Sequence, residues 1–212
     1  MTRVAIHNAT KDSPDIYVIF GVAGPVCPNP VDVPDFPALL AIGNHVGTIG
    51  ISPGQALELD PKGRCFSAIV GFYIMPQCPV PGANFPNGQY GTNIGEFTLN
   101  VTGGQEAFDI SCVNGVNCWM EMTVTGSGWG YGPQNTPISS ISNKALGCNS
   151  GNPGVYPVNC TDCIQLIGNP PCPSLQIGPA QKERICNIQR DVQSGSNDVL
   201  TITLKEGEPP AN

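Results

Sequence analysis

Glu96-Phe97-Thr98-Leu99-Asn100, followed shortly by Phe108-Asp109-Ile110-Ser111, is the stretch whose reading decides the fold. Phe97, Leu99 and Val101 share one parity, and Glu96, Thr98 and Asn100 the other; Phe108 and Ile110 likewise oppose Asp109 and Ser111. A period of two marks strands with one buried and one polar face. The intervening Gly103-Gly104 is a hairpin signal, because glycine reaches positive φ without steric cost. A turn centred between these glycines sets Phe97 opposite Ile110, Leu99 opposite Phe108, Thr98 opposite Asp109 and Glu96 opposite Ser111. Every pair then matches in polarity, and a slip of one residue spoils them all. In that register Glu96 and Asp109 are diagonal neighbours, with Cβ atoms roughly 7–8 Å apart. Two carboxylates on one polar face can bind or cut a polar ligand; the plain alternative is the solvated side of a sandwich.

Similar patterns extend in both directions. Arg3–Asn8 and Asp15–Gly21 alternate across a polar turn and predict a hairpin. Residues 23–37 are broken by five prolines and predict a loop that Cys27 tethers. Strands are expected at Gly47–Ile51, Ala56–Leu59, Ser67–Met75 and Cys118–Val124, and Asp198–Lys205 predicts a last strand returning to the sandwich. The fold expected is mainly β: a β-sandwich formed by residues 1–125 and 198–212. Residues 126–197 carry half of the cysteines with many Gly, Pro and Asn, and predict a disulfide-rich subregion of loops and short helices facing the cleft. Within it, Cys160–Ile167 is a candidate for one or two helical turns and Pro179–Arg190 for a helix.

The 212 residues suffice for one substantial core, burying on the order of 70 % of the unfolded surface. Sixteen Asp+Glu against nine Lys+Arg argue against a nucleic-acid partner, which needs clustered cations. No apolar run approaches the ~18 residues of a membrane span. Ten cysteines, Cys27, Cys65, Cys78, Cys112, Cys118, Cys148, Cys160, Cys163, Cys172 and Cys186, with only two histidines, read as up to five disulfides in a secreted chain. Cys160-Thr161-Asp162-Cys163 has C-x-x-C spacing, but without a second such pair or a convincing His ligand no metal and no cofactor is expected. Asn8, Asn100 and Asn159 head glycosylation sequons. The absence of a signal peptide before the first strand reads as a mature form whose leader was replaced by an initiating Met.

These motifs resemble the thaumatin-like family. Gly95–Asn100, Phe108–Ser111, Val113-Asn114-Gly115-Val116-Asn117 and Met120-Glu121 are similar to its A-E-F-x-L-N, F-D-I-S-x-V-D-G-F-N and P-M-x-F segments, in order and spacing. Ser52-Pro53-Gly54-Gln55, Asn159–Cys163, Gly178-Pro179 and Lys182–Cys186 match other stretches more loosely. The resemblance implies a thaumatin-like β-sandwich with an acidic cleft, associated with β-1,3-glucan binding and sometimes weak glucanase activity. It places Glu96 and Asp109 at two acidic positions of the cleft, Asn114 where an Asp is expected, Met75 where an Arg is expected, and Asp191 at the last acid. The cysteines that link the chain termini in the family are absent, so the chain resembles a distant member.

Three functions follow as expectations. The first is secreted, defence-type binding of a β-1,3-glucan-like cell-wall polysaccharide. Its ligand set is Glu96, Thr98, Asp109, Ser111 and Asn114 with Asp191, beside the loop aromatics Trp129 and Tyr131; Trp119 fits a ligand platform or the core. The second is weak β-1,3-glucanase activity, with Glu96 as proton donor and Asp109 as base. The third is a structural or host-interaction protein whose partner is a surface protein.

Overall fold

The computed structural model describes residues 1–11, 15–20, 27–73, 94–111, 118–131, 136–142, 164–167, 174–177, 188–193 and 195–206. In these, sixteen strands follow the chain: β1 Arg3–Ala9, β2 Asp15–Ile19, β3 Leu40–Gly43, β4 Val46–Gly50, β5 Ala56–Leu59, β6 Phe66–Tyr73, β7 Ile94–Leu99 and β8 Gln105–Ser111, then β9 Met120–Val124, β10 Gly130–Tyr131, β11 Thr136–Pro137, β12 Ser140–Ser142, β13 Ile164–Ile167, β14 Ser174–Ile177, β15 Ile188–Asp191 and β16 Val199–Lys205. A five-stranded sheet has the order β12-β9-β16-β1-β5 and a nine-stranded sheet the order β11-β10-β15-β8-β7-β6-β2-β4-β3, while β13 and β14 pair with each other. The architecture is a mainly β sandwich of two sheets, as the alternation predicts.

Period two explains which face goes inward. On β1, Val4 and Ile6 are fully buried, and on β16 so are Leu200 and Ile202. Met120 and Met122 of β9 face Gly95 of β7 across the core, and a Cβ at Gly95 would lie 3.2 Å from both sulfurs. A glycine at this position lets the sheets approach closely. Phe20, Phe36, Phe66 and Phe97 fill the centre with ring centroids 4.9 to 5.5 Å apart.

Several expectations change. The predicted first hairpin is absent: β1 runs between β16 and β5, whereas β2 runs between β4 and β6 in the other sheet. Near the end of β1 the side-chain amide of Asn8 donates to Ile51 O at 2.7 Å and accepts from Thr10 N at 3.0 Å. The helix expected over Pro179–Arg190 ends in strand β15, and Ile164–Ile167, expected to be helical, is strand β13; residues 178–187 and 160–163 lie outside the described set. Strands β10, β11, β12 and β15, within the stretch expected to be a separate subregion, belong to the two sandwich sheets.

Cys27 and Cys65 are joined, tethering the proline-rich loop to the start of β6, where Val31 N also donates to Cys65 O at 2.9 Å. Cys118 is buried; the other seven cysteines lie outside the described residues, as does Asn159. Asn8 and Asn100 are buried, with Asn100 Nδ2 donating to Thr2 O and Oδ1 accepting from Thr2 N, both at 2.9 Å. Neither side chain is open to a glycan in the folded chain.

Candidate functional site

The β7–β8 hairpin pairs Glu96 with Asp109, Phe97 with Phe108 and Thr98 with Ala107. This register differs by two residues from the predicted one, and the turn accounts for the shift. Val101 O accepts from Gly104 N at 3.2 Å and Gly103 holds φ +69°, so the turn centres on Thr102-Gly103. Asn100, at φ +56°, leaves the strand early, its N–H donating to Glu106 Oε1 at 3.0 Å. Polarity matching survives a shift of two, so the hydrophobic pattern alone did not choose between the registers. The consequence is chemical: Glu96 and Asp109 are directly opposed, close enough for each carboxyl to shift the other's titration.

The pair sits on the face of the nine-stranded sheet turned away from the core, in a recess of about 300 Å³ that Ser67, Ile69, Thr98 and Ala107 also line. Ser67 Oγ and Thr98 Oγ1 are 2.9 Å apart. Asp109 is only 8 % exposed, and its Oδ1 has no hydrogen-bond partner among the described residues. Burial pushes its carboxyl well above the ordinary range, and the neighbouring Glu96 charge and hydrogen bond push the same way. Burial also raises Glu96, against a lowering by the hydrogen bond from Asp109. Both carboxyls thus hold a proton to higher pH than an exposed carboxylate does, Asp109 more strongly than Glu96, so Asp109 is the favoured holder of the proton they share.

Stability follows with a definite sign. The folded state keeps the Asp109 proton to higher pH than the unfolded chain, so stability falls as pH rises from the ordinary carboxylate value of 3.8 toward the raised folded one. Asp109→Asn keeps a donor to Glu96 without the ionisation. It is expected to raise Tm by a few degrees at pH 8, at about 2–4 °C for each kcal/mol, and by nothing at pH 3, where both side chains are neutral. Calorimetry at the two pH values checks this, and an equal shift at both would contradict it.

Ser111 shares the β8 face of Asp109 two residues on, while the other predicted site residues lie apart. Ser111 pairs with Ile94 at the end of β8, Tyr131 pairs with Ile188, and Asn114 lies outside the described residues. Asp191 pairs with Gln105, four residues along β8 from Asp109 and so about 13 Å away. There it borders a second recess of about 560 Å³ beside the turn at 100–104. Trp129 is 4 % exposed, packs edge-on against Phe108 at 5.3 Å and donates from Nε1 to Thr125 O at 3.2 Å. It is a core residue, which corrects its expected role as an exposed ligand platform.

Behind the hairpin lies a charged network that sequence reading missed. Arg190, on the core side of β15, donates from Nε to Glu106 Oε2 at 2.8 Å, from Nη2 to Thr2 Oγ1 at 2.9 Å and from Nη1 to Ser127 O at 3.1 Å. It also pairs with Asp198 Oδ2 at 2.8 Å, and its guanidinium stacks 4.1 Å over the Trp129 ring. Thr2 Oγ1 donates to Glu106 Oε2 at 3.0 Å. Glu106 shares the parity of Phe108 and Ile110, a signal for an inward charge that needs a partner. The network fixes the far end of the hairpin that carries Glu96 and Asp109.

No protein-family model matches the chain, and no curated protein matches it in sequence. Among solved structures it is similar to the thaumatin-like xylanase inhibitor TLXI, at 13 % identity, with 95 % of this chain and 97 % of that chain covered and a TM-score of 0.47. A likeness that distant leaves the fold and the site to rest on this chain's own strands and side chains.

Proposed function

We propose that the chain is a secreted protein that binds a cell-wall polysaccharide in the recess around Glu96 and Asp109, with a β-1,3-glucan-like chain as ligand, and does not hydrolyse it. The observation that carries this reading is the directly opposed carboxyl pair beside the hydroxyls of Ser67 and Thr98. Together they supply the convergent donors and acceptors that a polyol needs, and about 300 Å³ is at the lower end of ligand pockets. A hydrolase needs its two carboxyls about 5–5.5 Å or roughly 6.5–9.5 Å apart, leaving room for the sugar carbon or a water. Directly opposed residues, with Cβ atoms about 4.5–5.5 Å apart, suit contact between the two carboxyls rather than a gap that holds a water. A secreted, defence-type setting fits the Cys27–Cys65 bond, since disulfides persist in oxidising compartments.

Co-sedimentation with insoluble β-1,3-glucan, cellulose and chitin, with reducing ends followed in the same tubes, tests the reading. Binding to glucan is expected, without sugar release, and is expected to drop at least about tenfold in Glu96→Ala/Asp109→Ala, as loss of two charge-assisted contacts implies. Release of reducing ends would establish the glucanase alternative. Retention by none of the polymers would overturn the reading and favour a surface-protein partner.

A further inference from the structure

The recess holds two carboxyl groups and, among the described residues, no cation. β6 contributes Ser67 and Ile69 to it, β15 sets Gln189 opposite Ala107, and Arg190 turns to the other side of the sheet. The described cations are committed elsewhere: Arg3 to Glu58, Lys11 to Glu206, Arg64 to Asp35, Arg190 to Glu106 and Asp198, and Lys205 to Glu121, while Lys62 sits in a turn after Asp60. The remaining three of the nine Lys+Arg, at 144, 182 and 184, lie outside the described residues.

Asp109 lines the recess, and its buried Oδ1 has no donor among the described residues. A neutral hydroxyl would satisfy that oxygen yet leave the pair short of a counter-charge. An ammonium group supplies both, because it offers three donors and a full positive charge to two carboxyls in contact. We infer that the recess takes the protonated primary amine of an amino sugar, so that among cell-wall polysaccharides a de-N-acetylated aminoglycan binds more tightly than a neutral glucan. This rests on the polysaccharide-binding reading and names the sugar chemistry that the same site favours. The ammonium sits between Asp109 Oδ1 and the Glu96 carboxylate; the proton shared by the pair leaves to the buffer, and no covalent bond changes. Ser67 and Thr98 hydroxyls take the hydroxyl next to the amine. The long-range field agrees, since the chain carries a formal charge of −7.

Titration calorimetry at a mildly acidic pH, where the sugar amine is protonated, compares tetramers of glucosamine, N-acetylglucosamine and β-1,3-linked glucose. The glucosamine tetramer is expected to bind about tenfold more tightly than either neutral tetramer, the scale of one charge-assisted contact. It is also expected to release protons to the buffer, visible as a dependence of the heat on buffer ionisation enthalpy. Glu96→Gln and Asp109→Asn should each remove the preference. Glu58→Gln, which changes the net charge equally on the other sheet, should keep it. Equal or tighter binding of the neutral glucose tetramer overturns the inference and leaves polysaccharide binding standing. A preference that survives Glu96→Gln places the amine elsewhere and overturns it too. Tighter binding of N-acetyl-lysine amide than of glucosamine monomer would favour a protein lysine and overturn it. Binding of no sugar overturns this inference and the reading beneath it.

Discussion

Replacing Arg190 by Met is expected to destabilise the chain by about 3–5 kcal/mol, the cost of leaving a buried charge without its partner. Arg190 and Glu106 have side chains only 1 % exposed, so the Glu106 carboxylate that remains cannot turn to water. Its Oε2 keeps one donor, Thr2 Oγ1, and its Oε1 one, Asn100 N, neither of which carries charge. Trp129 simultaneously loses the cation stacked on its ring. Glu106→Leu added to Arg190→Met is expected to restore much of the loss, because two apolar chains of similar volume remove the orphaned charge. Asp198, 14 % exposed, reaches solvent in that background. Urea midpoints of the single and double variants measure the coupling. A loss below ~1 kcal/mol for Arg190→Met, the range of exposed pairs, would mean that the network is hydrated.

Removal of the Cys27–Cys65 bond is the other large effect. The bond closes a loop of sequence separation 38, for which chain entropy alone gives about 4 kcal/mol. Both cysteines are buried and pack with Val101 at the foot of the β7–β8 turn. Cys27→Ala/Cys65→Ala therefore also leaves a small void under the hairpin that carries the carboxyl pair. The expected drop in Tm is roughly 8–16 °C, at 2–4 °C for each kcal/mol in a chain of this size. Differential scanning calorimetry of the double variant gives the number. A shift of a degree or two would mean that the unfolded chain is already constrained there by other contacts.

The strands were legible where one face is apolar and the other polar. β1, β5, β7, β8, β9 and β16 all fall where period two places them, since alternation reports burial directly. Which strands pair was much less legible. Arg3–Asn8 and Asp15–Gly21 both carry apolar alternation, and pattern alone cannot separate a hairpin from a crossing between sheets. The Glu96–Asp109 register was ambiguous by two residues for a related reason, and Asn100 and Glu106 settled it through contacts invisible in the pattern. Arg190 was missed because Lys182–Arg190 has a helix-like composition, while only four residues, Ile188–Asp191, form the strand that turns it inward. Trp129 looked exposed because Gly126, Gly128, Gly130 and Gly132 surround it, yet Arg190 and Phe108 draw it into the core. Its burial depends on partners about 20 and 60 residues distant in sequence.

The pairing of β1 with β16 sets a clock on synthesis. The two strands run parallel in the middle of the five-stranded sheet, with Arg3 beside Val199 and Ala9 beside Lys205. β1 waits until the chain has been made as far as Val199–Lys205 before this neighbour emerges. At ribosomal speeds of 5–20 residues per second that interval is roughly 10–40 s. β1 and β5 are then a two-strand ribbon with both edges bare, a form that is marginal by itself and open to foreign strands. A nascent chain of this fold would therefore lean on a chaperone until its last strand arrives.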